Sequence, residues 1–218
     1  MIAHHPAPTA MSRALLVLAI PLLAGSAARL GAQAPPAQPP LRVAASSFAS
    51  VEVHVNARPI GGRWYEEDAA LTGPARVAIT YGQPHARGRA IEGRLIPIDT
   101  VWRFGANAAT TLHSDVDLVL DTLHVPRGDY ALFILRSARG WQLIVNRATG
   151  YWGTDYRAAA DVGRVTLQER RRAESEDALT IYLVPDAPRP ASGYADLAGR
   201  LRIVWGTSEL STGWRITP

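Results

Sequence analysis

Residues 129–147 read DYALFILRSARGWQLIVNR, two almost continuously apolar runs separated by the turn Ala138-Arg139-Gly140. Runs rich in β-branched and aromatic residues on either side of a glycine-containing turn are typical of a β-hairpin. Because neither run alternates with polar residues, both strands are predicted to lie centrally in a sheet and to be covered on both faces. This hairpin decides the fold, and the rest of the chain is interpreted around it.

Outside the hairpin the dominant period is two. Val51, Val53 and Val55 alternate with polar residues, and Val77 and Ile79 do the same, which is the pattern of half-buried strands. Further strand-like runs lie at 117–120, 165–167, 179–184, 201–205 and 211–216. Only short helices are predicted, at Tyr65 to Leu71 and at Arg157 to Val162. Many strands without a long amphipathic helix favour an all-β antiparallel β-sandwich, with a β-barrel as the runner-up.

The N-terminal segment has the layout of a secretory signal peptide. From Met11, a possible true start, the chain reads MSRALLVLAIPLLAGSAARLGAQA, a basic start followed by an apolar run and small residues. The apolar run is short and contains Pro21, so a membrane span is the minor interpretation. The sequence therefore predicts a signal peptide at 1–34, a Pro-rich linker at 35–48 and a single β-sandwich domain at 49–218. An extracytoplasmic location, periplasmic or secreted, follows.

Charge and cysteine content exclude several classes of function. Without Arg13 and Arg29, which lie in the leader, 21 of the 23 basic residues remain against 19 acidic ones, a net charge of +2. The run Arg170 to Arg172 is followed at once by acidic residues, so no long basic face for nucleic acid is predicted. The absence of cysteine excludes a disulfide, a thiolate metal site and a lipid-modified N-terminal Cys.

The stretch from Val77 to Thr111 contains the first candidate site. Its loop Tyr81-Gly-Gln-Pro-His-Ala-Arg-Gly-Arg89 places an imidazole and two guanidiniums within a few residues. Arg side chains match planar anions with two parallel donors, so the loop is a candidate binder of a carboxylate, a phosphate or a sulfated sugar. The alternative is a turn whose arginines pair with surface acids, and because every basic residue of the chain is Arg, each one is a weaker indication of function.

Two aromatic blocks follow. In Trp102-Arg103-Phe104-Gly105-Ala106-Asn107 the Arg either enters a pocket or locks the sandwich by pairing with a buried Asp, and the Asn ties down backbone groups. Tyr151-Trp152-Gly153-Thr154-Asp155-Tyr156 combines aromatic faces with an acid, as a sugar site requires. The competing interpretation is that Asp155 caps the helix predicted at Arg157.

Metal binding and catalysis have weaker support. His113, Asp115 and Asp117 would share one face of an extended segment, but Asp115 is expected in a turn, and no metal site or other cofactor is predicted. The sequence lacks the G-x-S-x-G and H-E-x-x-H motifs. A dyad of His85 with Asp155, or His85 with a bound metal, is the hydrolytic alternative.

Several ordered blocks resemble one family of bacterial proteins. ITYGQPHARGRAIEGRLIPIDTVWRFGANAATTL, PRGDYALFIL, NRATGYWGTDY and GRLRIVWGT follow the order of motifs in the domain of unknown function family 2911. The resemblance covers about residues 77–207 and implies an exported, sandwich-like domain without an established activity. Two departures are Gln83, where the family commonly has Arg, and Glu92, at a position more often aromatic.

The predicted function is the binding of a small polar or anionic ligand, such as a saccharide or a carboxylate-bearing compound, or of an envelope partner protein. Neither nucleic acid nor a stable membrane span after signal cleavage is expected. The alternatives are an extracytoplasmic hydrolase and a purely structural envelope domain in which Arg103 and Asp155 are buried and paired. The residues predicted to bind the ligand are Tyr81, His85, Arg87, Arg89, Trp102, Arg103, Asn107, Trp152 and Asp155.

Overall fold

The alternating apolar pattern produces an almost entirely β structure. The computed structural model describes residues 41–55, 75–150, 152–187 and 197–217, and these contain ten strands and one 3-10 turn at Ala158–Ala160. The strands are β1 (Ser47–Val55), β2 (Ala75–Gln83), β3 (Val101–Trp102), β4 (Thr110–Ser114), β5 (Asp117–Leu120), β6 (Leu123–Val125), β7 (Gly128–Ser137), β8 (Gly140–Asn146), β9 (Asp161–Pro185) and β10 (Ala198–Thr217).

These strands form one open antiparallel sheet in the order β1-β2-β4-β7-β8-β9-β10-β5-β6, with β3 paired to β7. The sheet folds over into two layers because β9 pairs with β8 through its first residues and with β10 from Gln168 onward. Leu132 and Leu143 of the first layer meet Leu201 and Trp214 of the second around an internal void of about 10 Å³. The architecture is an antiparallel β-sandwich, as predicted. Because the sheet is open, it is not the β-barrel that was the alternative prediction.

The hairpin of β7 and β8 lies centrally, between β4 and β9. Leu132 and Ile134 point into the main core between the layers. Their neighbours Ala131 and Phe133 point to the outer face, where they form a second buried cluster with Ile144. Both faces of the hairpin are therefore covered, which confirms the prediction made from its continuous apolar runs.

Two predictions about strand length were wrong. The runs at 165–167 and 179–184 belong to one strand of 25 residues, β9, and the runs at 201–205 and 211–216 belong to one strand of 20 residues, β10. The charged residues between the runs look like a turn in sequence, yet they face partners across the strands: Arg170 pairs with Glu209, and Arg171 with Ser208. Irregular pairing on either side of Gly206, whose φ is +60°, lets β10 bend with the sheet.

The helix predicted at Arg157 to Val162 is also wrong. Only one 3-10 turn forms, its N-cap residue Arg157 makes no side-chain capping hydrogen bond, and β9 begins at Asp161. The predicted helix at Tyr65 to Leu71 and the predicted signal peptide lie outside the described residues. No helix among the described residues has the length and apolar content needed to cross a membrane.

The two layers are joined at one corner by the chain that follows β2. Leu179 N donates to Pro84 O at 3.0 Å, and Ala86 N donates to Asp177 O at 2.8 Å. Three residues before Pro84, within β2, the hydroxyl of Tyr81 accepts a hydrogen bond of 3.1 Å from Ile181 N. Burial raises the pKa of the Tyr81 hydroxyl above its usual value, so this group stays neutral in the core.

Tyr81→Phe is expected to lower the free energy of unfolding by about 1 to 2 kcal/mol, because the buried Ile181 N–H loses its acceptor. Urea unfolding followed by tryptophan fluorescence measures the change. The matched control is Tyr182→Phe, since Tyr182 is 41% exposed and water can replace any partner of its hydroxyl. Equal stabilities of the two variants would contradict this role for Tyr81.

Candidate functional site

The predicted loop from Tyr81 to Arg89 places its histidine in a hydrogen-bonded chain. His85 Nδ1 lies 3.3 Å from Asp177 Oδ2 on β9, and His85 Nε2 lies 3.1 Å from Ser47 Oγ at the start of β1. Tyr81 is 3% exposed and serves the core instead. The partner of His85 is thus Asp177, not the Asp155 of the hydrolytic alternative.

The two arginines of this loop donate to main-chain oxygens. Arg87 donates to Ala45 O at 2.6 Å, and the guanidinium of Arg89 donates to Ala86 O at 2.9 Å and to His85 O at 2.6 Å. Arg87 has a φ of +48°, and its own N–H donates to Asp177 Oδ1 at 2.6 Å. These contacts use part of the donor set that an anion would need, and they serve to fix the loop.

An open cleft of about 480 Å³ lies beside this loop. Glu92 lines it and accepts from Arg171 at 2.8 Å, from Ser208 at 3.1 Å and from Arg136 at 3.4 Å. Burial alone would raise the pKa of Glu92, but the hydrogen bonds from Arg171, Ser208 and Arg136 together lower it below its usual value. The charges of this cleft therefore neutralise one another, and the hydrogen bonds of Glu92 connect its segment of the chain to both layers.

The Trp102 block is mainly structural. Trp102 stacks on Trp205 of β10 with ring centroids 5.7 Å apart and planes inclined by 16°. The Arg103 guanidinium donates to Asn107 O at 3.2 Å, not to a buried Asp. Asn107 has a φ of +64°, and its main-chain oxygen also accepts from Gly153 N at 3.4 Å, so this block positions the next one.

The segment from Trp152 to Asp155 borders a cavity of about 250 Å³ on the outer face of the first layer. Trp152 is 58% exposed, whereas the other tryptophans that the structure describes are buried or half-buried. The cavity is lined by Ala108, Ala109, Thr111, Ala131, Phe133, Ala148, Thr149, Gly150, Trp152 and Asp155. Short side chains thus form the floor, and one indole and one carboxylate stand at the rim.

Main-chain contacts hold the indole at this rim. Trp152 forms an isolated β-bridge with Ala108, and Asp155 N donates to Trp152 O at 2.9 Å, which closes a tight turn. A Cβ at residue 153 would lie 2.7 Å from Arg103 Cβ, so only glycine permits this close approach.

The far end of the same loop is anchored by Asn146, which is fully buried at the end of β8. Its amide donates to Arg157 O and to Asp161 Oδ1, both at 2.8 Å, and its oxygen accepts from Ala148 N at 2.9 Å. With both ends fixed, the cavity is largely formed before any ligand binds, which lowers the ordering cost of binding.

The chemistry of this cavity suits a neutral ligand with one apolar face. Among its described lining residues, Asp155 carries charge and none is basic, whereas Thr111 and Thr149 carry hydroxyls. Its volume of about 250 Å³ is just below the range of about 300 to 1,000 Å³ that encloses drug-sized molecules, so it fits a single ring. An indole face with nearby hydrogen-bonding groups matches a sugar ring.

The nine predicted residues therefore do not converge on one described cavity. Trp152 and Asp155 line the outer-face cavity, Arg103 and Asn107 support it, and Arg89 lines the open cleft. The two cavities share no lining residue among those described.

The histidine at position 113 bonds carboxylates directly. His113 Nδ1 lies 2.8 Å from Asp129 Oδ1, and His113 Nε2 lies 3.1 Å from Asp115 Oδ1. These hydrogen bonds, that of Asp129 first, raise the pKa of His113 above its usual value. Asp117 instead accepts from Arg127 N at 2.8 Å. Within the described ranges no three His, Asp or Glu side chains are arranged to hold a metal ion.

Sequence reasoning missed residues that lie far apart in the chain. Asp177 is one of the acidic residues that follow Arg170 to Arg172 in the sequence, and Ser47 lies in the predicted Pro-rich linker. Phe133 was interpreted as core, although its face of β7 also forms the cavity wall. One available signal was the run of small residues Ala108-Ala109-Thr110-Thr111, which is unusual beside strands of bulky residues.

Fold and site together define an antiparallel β-sandwich domain with a cavity of about 250 Å³ on the outer face of one layer. The family model described as "Protein of unknown function (DUF2911)" matches residues 66–211, and the chain belongs to this family. No curated protein and no solved structure matches the chain.

Proposed function

We propose that this protein is an exported domain that binds a saccharide in the outer-face cavity beside Trp152. The observation that carries the proposal is the exposed indole of Trp152, held at the rim of a preformed cavity together with Asp155. The N-terminal pattern of basic start, apolar run and small residues supports export.

A neutral saccharide is preferred over an anion because of the charges near each cavity. The outer-face cavity presents the carboxylate of Asp155, which repels anions and accepts hydrogen bonds from sugar hydroxyls. The arginines of the loop from Tyr81 to Arg89 donate to main-chain oxygens. The purely structural alternative predicts a buried, paired Asp155, whereas Asp155 is exposed.

Binding is tested by titrating the purified full chain with a panel of soluble cello-, xylo-, manno- and chito-oligosaccharides in a calorimeter. We expect at least one class to bind, and we expect Trp152→Ala to weaken its binding at least tenfold. The reason is that an aromatic face buried under a ligand contributes on the order of 1.5 to 3 kcal/mol. Asp155→Asn is expected to cause a smaller loss, because the amide keeps one acceptor.

Tyr182→Ala is the matched control, since Tyr182 is an exposed aromatic residue on β9 of the second layer. Its affinity should equal that of the unmodified protein. A panel without any binder, or equal affinities of Trp152→Ala and the unmodified protein, would refute the proposal.

A further inference from the structure

A second constellation lies away from the saccharide cavity, where β1, the chain after β2 and β9 meet. Ser47 Oγ lies 3.1 Å from His85 Nε2, and His85 Nδ1 lies 3.3 Å from Asp177 Oδ2. The order hydroxyl, imidazole, carboxylate is that of an activated nucleophile: the acid orients the base, and the base faces the hydroxyl. The three residues are far apart in sequence, so only the fold creates this order.

Main-chain contacts fix the histidine and the carboxylate of this constellation. His85 forms a β-bridge with Ala178, the residue next to Asp177, which sets the imidazole beside the carboxylate. Asp177 Oδ1 accepts from Arg87 N at 2.6 Å, so the other oxygen, Oδ2, faces the imidazole. With Nδ1 directed at a carboxylate, the tautomer that carries a proton on Nδ1 leaves Nε2 as an acceptor for Ser47.

Ser47 is exposed and has a second acceptor. Its hydroxyl donates to Gln83 Oε1 at 2.8 Å, and the Gln83 amide is oriented by its own donation to Leu179 O at 3.0 Å. Rotation about the Cβ–Oγ bond of Ser47 turns the proton from Gln83 to His85 Nε2. Such a rotation is rapid for an exposed hydroxyl, so Gln83 holds the oxygen in position without preventing proton transfer.

We propose that Ser47, His85 and Asp177 form a nucleophilic site that hydrolyses short-chain carboxylic esters. Ser47 Oγ attacks the ester carbonyl carbon while His85 Nε2 takes the hydroxyl proton, and Asp177 stabilises the imidazolium. The carbon–oxygen bond to the alcohol breaks, and the alcohol leaves with the proton from His85. Water, deprotonated by His85, then attacks the acyl-serine, which releases the carboxylic acid and restores the Ser47 hydroxyl.

Three features of the surroundings of Ser47 bear on the substrate. Ser47 is not among the lining residues of the described cavities, which favours a short acyl group that needs no pocket. The guanidinium of Arg87 reaches Ala45 O, two residues before Ser47, and is a nearby positive charge for the oxyanion that forms during attack. The open cleft that contains Asp177 leaves room for the alcohol part of the ester.

The test is covalent labelling of the full chain with a fluorophosphonate probe, with mass spectrometry to locate the adduct and p-nitrophenyl acetate to measure turnover. We expect one adduct, on Ser47, and we expect Ser47→Ala to abolish it. His85→Ala is expected to slow labelling at least tenfold, and Asp177→Asn to slow it less. Circular dichroism establishes that each variant is folded.

Ser50→Ala is the matched control, because Ser50 is also exposed, lies three residues further along β1 and bonds Thr80, not a histidine. It should be labelled at the rate of the unmodified protein. Absence of an adduct on Ser47 would overturn the proposal, as would equal labelling rates of folded His85→Ala and the unmodified protein.

Discussion

Leu143→Ala is expected to lower the free energy of unfolding by about 3 to 5 kcal/mol, a large part of the stability of a domain of this size. Leu143 is fully buried in β8 and meets side chains of both layers around the internal void. Truncation removes the transfer free energy of the side chain and enlarges that void. The rigid strands around it cannot close the gap without disturbing the pairing on both sides.

Leu135→Ala is the control for this prediction. Leu135 is on the same hairpin but is only partly buried, against the smaller cluster on the outer face. Its truncation is expected to cost less than half as much. Urea unfolding of both variants gives the comparison, and equal losses would mean that the interlayer core is not where the sheet derives its stability.

Glu209→Gln is expected to lower the free energy of unfolding by about 2 kcal/mol at pH 7. Glu209 is 8% exposed and accepts from Arg202 at 3.0 Å and from Arg170 at 2.8 Å. These two hydrogen bonds lower the pKa of Glu209 from 4.5 to about 2. One pKa unit corresponds to about 1.4 kcal/mol, so the shift sets an upper limit of roughly 3 kcal/mol.

The pH dependence of this contribution has a definite sign. Because folding lowers the pKa of Glu209, its stabilising effect is complete above the ordinary value of 4.5 and is lost as the pH falls towards about 2. The stability difference between Glu209→Gln and the unmodified protein should therefore shrink over this range. Glu174→Gln, an exposed position on β9, should show little difference at either pH. A difference that stays constant from pH 7 to pH 2.5 would contradict the assigned pKa shift.

The hairpin was predictable because its signal is local. A continuous apolar run on either side of Ala138-Arg139-Gly140 fixes both the turn and the burial of the strands on both faces. The lengths of β9 and β10 were not predictable, because charged residues such as Arg170 stabilise β9 through partners on another strand, here Glu209 on β10. Those partners are almost 40 positions away, and sequence periodicity carries no information about them.

The candidate site shows the same division. Trp152 and Asp155 were predicted because an aromatic ring and an acid lie three residues apart in one loop. The floor of their cavity comes from β4 and β7. The sequence pattern alone does not show that the outward-facing residues of these strands lie beside that loop. The choice of Asp177 over Asp155 as the partner of His85 depends on the main-chain pairing between the chain after β2 and β9. Pairing between distant segments is a property of the folded sheet.

The central claim is that the cavity beside Trp152 binds a saccharide. The indole N–H signals of the six tryptophans in an NMR spectrum test this claim directly. In ¹⁵N-labelled protein, the Trp152 signal is assigned by its disappearance in Trp152→Phe. On titration with the oligosaccharide that binds, the Trp152 signal should shift saturably, while the signal of Trp141, which is 2% exposed, should stay in place. Binding that moves other signals and leaves that of Trp152 unchanged would contradict the account, and so would a panel in which no saccharide moves it.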